Sequence, residues 1–202
     1  SHDNIFSALV LSDGISSPLG QKLAFLDNPK YSNISVFRSI INASEMSSPE
    51  IIENISLWLG ENCHVVSYPI DQFGNLNIVV AVKNGPIETH LEKRKNFSLN
   101  DFSSKLDSTC DMLQKVISKG DEWYNWPIYQ GRKISHPSDF QRNSILLLGD
   151  AGHPLKPHLA QGASMALEDS LVLEKFLSKK QVPIDWSYLF EQYARFRIKR
   201  IK

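Results

Sequence analysis

The pattern of apolar and polar positions changes character several times along the chain, and each change predicts an element. Residues 6–12 (FSALVLS) are mostly apolar and run into Asp13-Gly14, which predicts a buried strand ending at a turn. Ser16 or Ser17 ahead of Pro18 predicts a short helix with proline in its first turn. Segments 34–41, 55–59, 64–70 and 76–82 are short and close together, and Gly74-Asn75 precedes the last. They predict an antiparallel sheet with no helix required between its strands, and they put His64, Val66 and Tyr68 on one face. Phe102, Leu106, Cys110, Leu113 and Ile117 recur at helical spacing, predicting an amphipathic helix over 101–118 that Lys119-Gly120 stops. Residues 122–136 carry Trp123, Trp126, Pro127 and Tyr129 without a clean period and predict an irregular connector.

The run at 144–148 (SILLL) is almost continuously apolar, as expected of a central strand covered on both faces. A proline-containing loop over 150–160 follows, then a buried helix over 161–177 with Glu168, Lys175 and Lys179 on an exposed stripe, then a last helix over 187–202. In this order the antiparallel sheet is an insertion between two parts of another domain, and the first and late strands belong together. The expected class is mixed, α+β with an α/β part.

Composition narrows the function. The chain has 202 residues, 42% hydrophobic and 22% charged, enough for one large domain or two small ones. Lys plus Arg equals Asp plus Glu, 22 each, so no nucleic-acid partner is expected. The cluster Arg195, Arg197, Lys199, Arg200, Lys202 predicts a solvated helix face. Cys63 and Cys110 have no metal-ligand spacing and form no disulfide framework; buried reduced thiols, no metal and a cytoplasmic location are expected. No run approaches the roughly 20 apolar residues that span a membrane, and no signal-peptide pattern opens the sequence.

The chemistry concentrates after the late strand. A strand that ends in Gly149 and continues into Asp150 puts a carboxylate where ligands of open α/β sheets bind, outside the carboxyl ends of strands. A helix starting near Gln161-Gly162-Ala163 offers backbone N–H groups and a positive dipole end. Small residues there let a flat ring approach the backbone. The string GDAGHPLKPHLAQGASMALEDS resembles the second FAD motif of the aromatic-ring hydroxylases, the class A flavoprotein monooxygenases. Gly152 stands where that family has a second alanine, and Ala160 where it has the first glycine of Gly-Gln-Gly. Residues 8–17 (ALVLSDGISS) are similar to the family's Asp-Gly motif, 58–69 to a substrate-domain strand pair, and 193–200 to its final helix. Within the family the likeness is greatest to salicylate hydroxylases and 6-hydroxynicotinate 3-monooxygenases, which share Lys156-Pro157-His158 followed by Ala160-Gln161-Gly162.

The resemblance implies the C-terminal part of a PHBH-like FAD-dependent monooxygenase. Residues 1–30 would end the FAD domain, 31–130 would form the substrate domain, and 131–202 would return to the FAD domain. It implies FAD as cofactor, NADH or NADPH as transient reductant, and O2 with a small aromatic acid or phenol as substrates, hydroxylated through a flavin C4a-hydroperoxide. Asp150 would bind the ribityl chain, Pro157 would lie beside the isoalloxazine, Gly162 and Ala163 would offer backbone N–H groups to the pyrimidine edge of the flavin, and Gly149 would belong to the same cofactor loop. Asp13 and Gly14 would help hold FAD and reductant. His158 and Tyr68 would line the substrate pocket. His153 reads as a loop-fixing residue, Arg38 as a partner for a substrate carboxylate or, the favoured reading, as solvent-facing, and Asp169, off the charged stripe of its helix, as a hydrogen-bond partner of nearby backbone. The Gly-x-Gly-x-x-Gly turn that grips the FAD pyrophosphate is not in these residues. The chain alone is therefore expected to bind FAD weakly and to need the missing N-terminal half of the protein. The alternatives are a catalytically inactive fragment, or a related flavin epoxidase, halogenase or reductase.

Overall fold

The computed structural model describes residues 5–23, 27–42, 49–72, 74–83, 96–97, 100, 106, 109–155, 160–178 and 182–201. It divides into two compact units, one of residues 1–30 with 129–202 and the other of residues 31–128.

The second unit is built on the antiparallel sheet. Its strands are β2 (Lys30–Asn42), β3 (Ser56–Leu59), β4 (Cys63–Pro69), β5 (Asn75–Lys83), β6 (Asn96–Phe97) and β7 (Trp123–Gln130), in spatial order β3-β4-β5-β2-β7-β6. All four predicted strands are present. Alternation puts Phe37 and Ile41 of β2, Val65 of β4, and Leu76, Ile78, Val80 and Val82 of β5 on one face. There they pack with Ile51 of α2 (Pro49–Glu53) and with Leu113, Val116 and Ile117 of α3 (Asp111–Ile117).

Two expectations change here. The predicted connector is strand β7: Trp123 and Asn125 are buried while Tyr124 and Trp126 are exposed, an alternation that Pro127 and the crowded aromatics disguised. The helix expected over 101–118 starts at Asp111, with Cys110 as its extended N-cap; residues 101–105 and 107–108 lie outside the described residues. Both cysteines are free, but Cys110 is exposed and Cys63 is half-buried, so neither is the buried thiol expected.

The first unit holds β1 (Leu9–Leu11), α1 (Pro18–Lys22), β8 (Gln141–Arg142), β9 (Ile145–Leu147), α4 (Gly162–Leu177) and α5 (Trp186–Ile201). β1 runs parallel to β9 with Leu11 opposite Leu147, so the first and late strands do belong together. β9 is the middle strand of the order β1-β9-β8, which explains its unbroken apolar run: Leu146 and Leu147 are fully buried against Phe140, Leu189, Phe190 and Tyr193. β1 is shorter and more open than its run suggests. It is an outer strand, with Leu9 and Val10 about two-fifths exposed and Phe6 outside the sheet.

The helices differ from expectation too. α4 buries fully only Met165 and Asp169, and Leu167 and Leu171 are exposed, so it is not a buried helix. In α5 the inward stripe is Tyr193, Ala194, Arg197 and Ile198, so Arg197 is buried rather than part of a solvated face. The spacing of its neighbours, not its charge, sets its direction.

Candidate functional site

The candidate loop begins where β9 ends. Gly149 opens a single 3₁₀ turn over Gly149–Ala151 at φ +56, a left-handed backbone that glycine adopts without strain. Gly152 approaches Leu147 so closely that a Cβ there would lie 2.9 Å from the Leu147 carbonyl oxygen. Glycine at 152 thus fits this turn more tightly than alanine would.

The turn is held from behind by Asp169, whose Oδ2 accepts the Gly149 N–H at 2.9 Å and lies 2.5 Å from His153 Nε2. Its Oδ1 accepts from Arg197 Nε at 2.8 Å. Arg197 also donates to Glu168 Oε2 at 3.0 Å and to the Met165 carbonyl, and Tyr193 Oη donates to the Asp169 carbonyl. Burial alone raises the Asp169 pKa, but the His153 hydrogen bond, the Gly149 N–H and Arg197 outweigh it and hold the carboxyl below its usual range. Burial pushes the Tyr193 hydroxyl up, and the nearby Asp169 carboxylate adds to it. His153 therefore fixes the loop, and Asp169 binds nearby backbone, as their positions in the sequence suggested. The wider network of His153, Asp169, Arg197 and Glu168 was not foreseen. The signal was present in Glu168-Asp169 and in Arg197 falling on the apolar spacing of α5.

In front of the turn the arrangement is open. Asp150 is exposed and makes no hydrogen bond or ion pair among the described residues. A Cβ on Gly162 would sit 3.9 Å from Asp150 Oδ1, so a side chain there would fill the space beside the carboxylate. The α4 N-cap, Gln161, makes no side-chain cap, and the N–H groups of Gly162 and exposed Ala163 have no side-chain acceptor among the described residues. A carboxylate acceptor beside backbone donors at a helix start fits a polyhydroxyl chain joined to an electron-rich ring edge, and so fits FAD. Asp13 is engaged in its own turn: it accepts from Ser17 Oγ at 2.6 Å and from the Leu19 N–H at 3.4 Å, with Gly14 next to it. Pro157 and His158 lie outside the described residues. Tyr68 stands in the other unit, on β4 opposite Asn77 of β5, on the sheet face away from the apolar core. Among the described residues no cluster of three or more His, Cys, Asp or Glu is placed to hold a metal ion, and no helix is long and apolar enough to cross a membrane.

A parallel strand pair ending in a carboxylate turn, with a separate antiparallel sheet unit inserted in sequence between its two strands, is a fold shared with solved FAD-dependent hydroxylases. A salicylate hydroxylase–substrate complex superposes with a TM-score of 0.84 at 18% identity, covering 95% of this chain and 51% of that one. HpxO of Klebsiella pneumoniae, solved with FAD and uric acid, does so with a TM-score of 0.75 at 22% identity, covering 96% and 48%. In sequence the chain is 31% identical over 195 residues to 3-hydroxybenzoate 6-hydroxylase 1 of Aquipseudomonas alcaligenes, covering 96% of this chain and 47% of that protein. It is 26% identical over 192 residues to 6-hydroxynicotinate 3-monooxygenase of Bordetella bronchiseptica, covering 94% and 48%. No protein-family model matches the chain. The chain is thus similar over nearly its whole length to aromatic-ring hydroxylases, and it spans about half the length of these curated relatives.

Proposed function

We propose that this chain carries the ribityl- and ring-facing loop and the substrate sheet of an FAD-dependent monooxygenase that hydroxylates a small aromatic acid, of the hydroxybenzoate or hydroxynicotinate kind. The observation that supports it best is the open carboxylate of Asp150 beside the uncapped start of α4 at Gly162 and Ala163. In this reading residues 1–30 and 131–202 serve the flavin and residues 31–130 the substrate. Asp150 accepts ribityl hydroxyl protons, and the Gly162 and Ala163 N–H groups face the pyrimidine edge, with Gly149 shaping the turn and Pro157 beside the ring. Asp13 and Gly14 help to hold FAD and the reductant. Bound FAD, reduced by NADH or NADPH, supplies the transfer of one oxygen atom from O2. His158 takes the phenolic proton, which makes the ring a better nucleophile, and Tyr68 hydrogen-bonds the substrate's hydroxyl or carboxylate.

The test, on a protein that joins this chain to a glycine-rich FAD-binding half, is substrate-stimulated NADH or NADPH oxidation with 3-hydroxybenzoate, with identification of the product and of bound flavin. A hydroxylated ring supports the reading, and an epoxide, halide or reduced product replaces it with a sister chemistry. His158→Ala is expected to lower product formation more than flavin binding; equal loss of both makes His158 structural. The chain alone is expected to hold FAD weakly because the glycine-rich phosphate turn is not among its residues. Stoichiometric yellow flavin on the purified chain would overturn that expectation.

A further inference from the structure

The core-free face of the antiparallel sheet carries a groove of about 390 Å³ that none of the expected site residues lines. Its floor is Arg38 and Ile40 of β2 and Asn77 of β5, and its wall is Tyr124 and Trp126 of β7 with Glu122 ahead of them. The register explains why they meet. Arg38 lies opposite Val79 and Ile40 opposite Asn77, and Asn77 is in turn opposite Tyr68, so the groove starts one strand away from Tyr68.

Three features coincide there. Arg38 is exposed and makes no ion pair or hydrogen bond among the described residues, which leaves open both readings its sequence position allowed, a solvent-facing side chain and a partner for a carboxylate. Asn77 is only 5% exposed, yet its Nδ2 has no hydrogen-bond partner there. A buried amide donor left unsatisfied is costly, and a ligand acceptor removes that cost. The wall is aromatic, and Glu122 is already engaged by the Tyr124 hydroxyl at 2.9 Å. Clefts of this size with apolar walls and a few converging polar groups bind small molecules. A guanidinium matches a carboxylate in shape and charge.

We propose that this groove is the carboxylate-recognition end of the substrate site, in which Arg38 anchors the carboxylate of an aromatic acid, Asn77 donates its Nδ2–H, and Trp126 and Tyr124 flank the ring. The assignment rests on the reading above that the substrate is a small aromatic acid, and it makes Arg38 a specificity-determining residue.

The groove lies within one unit and contains a tryptophan, so binding is readable without flavin. The full chain is titrated with 3-hydroxybenzoate and, separately, with uncharged 3-hydroxybenzamide, following tryptophan emission, with Trp126→Phe to assign the signal. The expected result is a saturable change with the acid, absent in Trp126→Phe, and an affinity for the amide weaker by roughly ten- to a hundredfold, the weight of one charge-assisted contact. Arg38→Met is expected to lose that preference and Arg38→Lys to keep part of it. If Arg38→Met does not fold, as judged by its thermal transition, Arg38→Gln takes its place. Equal affinity for acid and amide in the wild-type chain, no saturable response, or an unchanged preference in the Arg38 variant overturns the proposal. Failure of the flavoenzyme reading shows separately, in FAD titration and product analysis of the unsubstituted protein.

Discussion

The two units bury different things. The sheet unit has a hydrocarbon interior in which Phe37, Leu76, Ile78, Val80 and Trp123 are sealed between sheet and helices. The loop unit has an apolar centre as well, but beside it a carboxylate, a guanidinium and an imidazole are almost as deeply buried: Asp169, Arg197 and His153 are 1%, 2% and 4% exposed. An apolar layer holds a surface in shape but does not single out one backbone hydrogen. The Asp169 carboxylate does, because it takes the Gly149 N–H directly and so fixes the turn that presents Asp150. The unit that must place a loop uses directional bonds, and the unit that must supply a floor uses packing.

The strongest way to break this contrast is Asp169→Ala. It leaves Arg197 buried without its nearer carboxylate and orphans both His153 Nε2 and the Gly149 N–H, and removal of one partner from a buried pair costs about 3–5 kcal/mol. Denaturant unfolding should show this loss, and hydrogen exchange should place it in the strands and helices of the loop unit. The pH dependence gives an independent check. The folded pKa of Asp169 is lowered, so its stabilisation is present above the ordinary carboxylate range and is lost as pH falls through the folded value. The gap between wild type and Asp169→Ala should therefore begin to narrow below about pH 4 and keep shrinking as pH falls through the lowered folded value; a gap that does not change with pH would mean the ionised carboxylate is not the source.

The matching change in the sheet unit is Ile78→Val. Ile78 is fully buried on β5, opposite Ser39 of β2. Loss of one methylene from such a site costs about 0.5–1.5 kcal/mol. Unfolding midpoints should fall accordingly, with exchange protection lowered in β5 and its neighbours and unchanged in the loop unit. A cost equal to that of Asp169→Ala would erase the distinction between the units.

Which parts were legible in the sequence follows the same division. The sheet strands and β9 announced themselves because alternation and unbroken apolar runs are local signals of burial. The turn after β9 and the start of α4 were legible because Gly149, Asp150 and Gly162 fall within one short string. β7 was missed because Pro127 and four aromatics hide its alternation over Trp123–Trp126. Arg197 was misread because a count of charges ignores that it shares a stripe with Tyr193, Ala194 and Ile198. The Arg38 groove had no local signal of its own: its residues come from β2, β5 and β7, and only the pairing of the strands brings them together.

The smallest expected effect sharpens the contrast most directly. Two residues before Arg197 on the same helix, Arg195 pairs with Glu191 at 2.6 Å, one turn back. The distance is as good as any that Arg197 makes, but the two side chains are 60% and 43% exposed. Water already solvates both charges, and holding two long side chains in one arrangement costs rotamer freedom. Arg195→Ala should therefore lose only about 0.3–0.5 kcal/mol, and less as salt screens the pair. Urea midpoints at low and high ionic strength measure this. A loss well above about 1 kcal/mol, or one indifferent to salt, would mean that an arginine–carboxylate contact on α5 carries weight regardless of burial. The special standing given to Asp169 and Arg197 would then be wrong, because that standing depends on their being out of water.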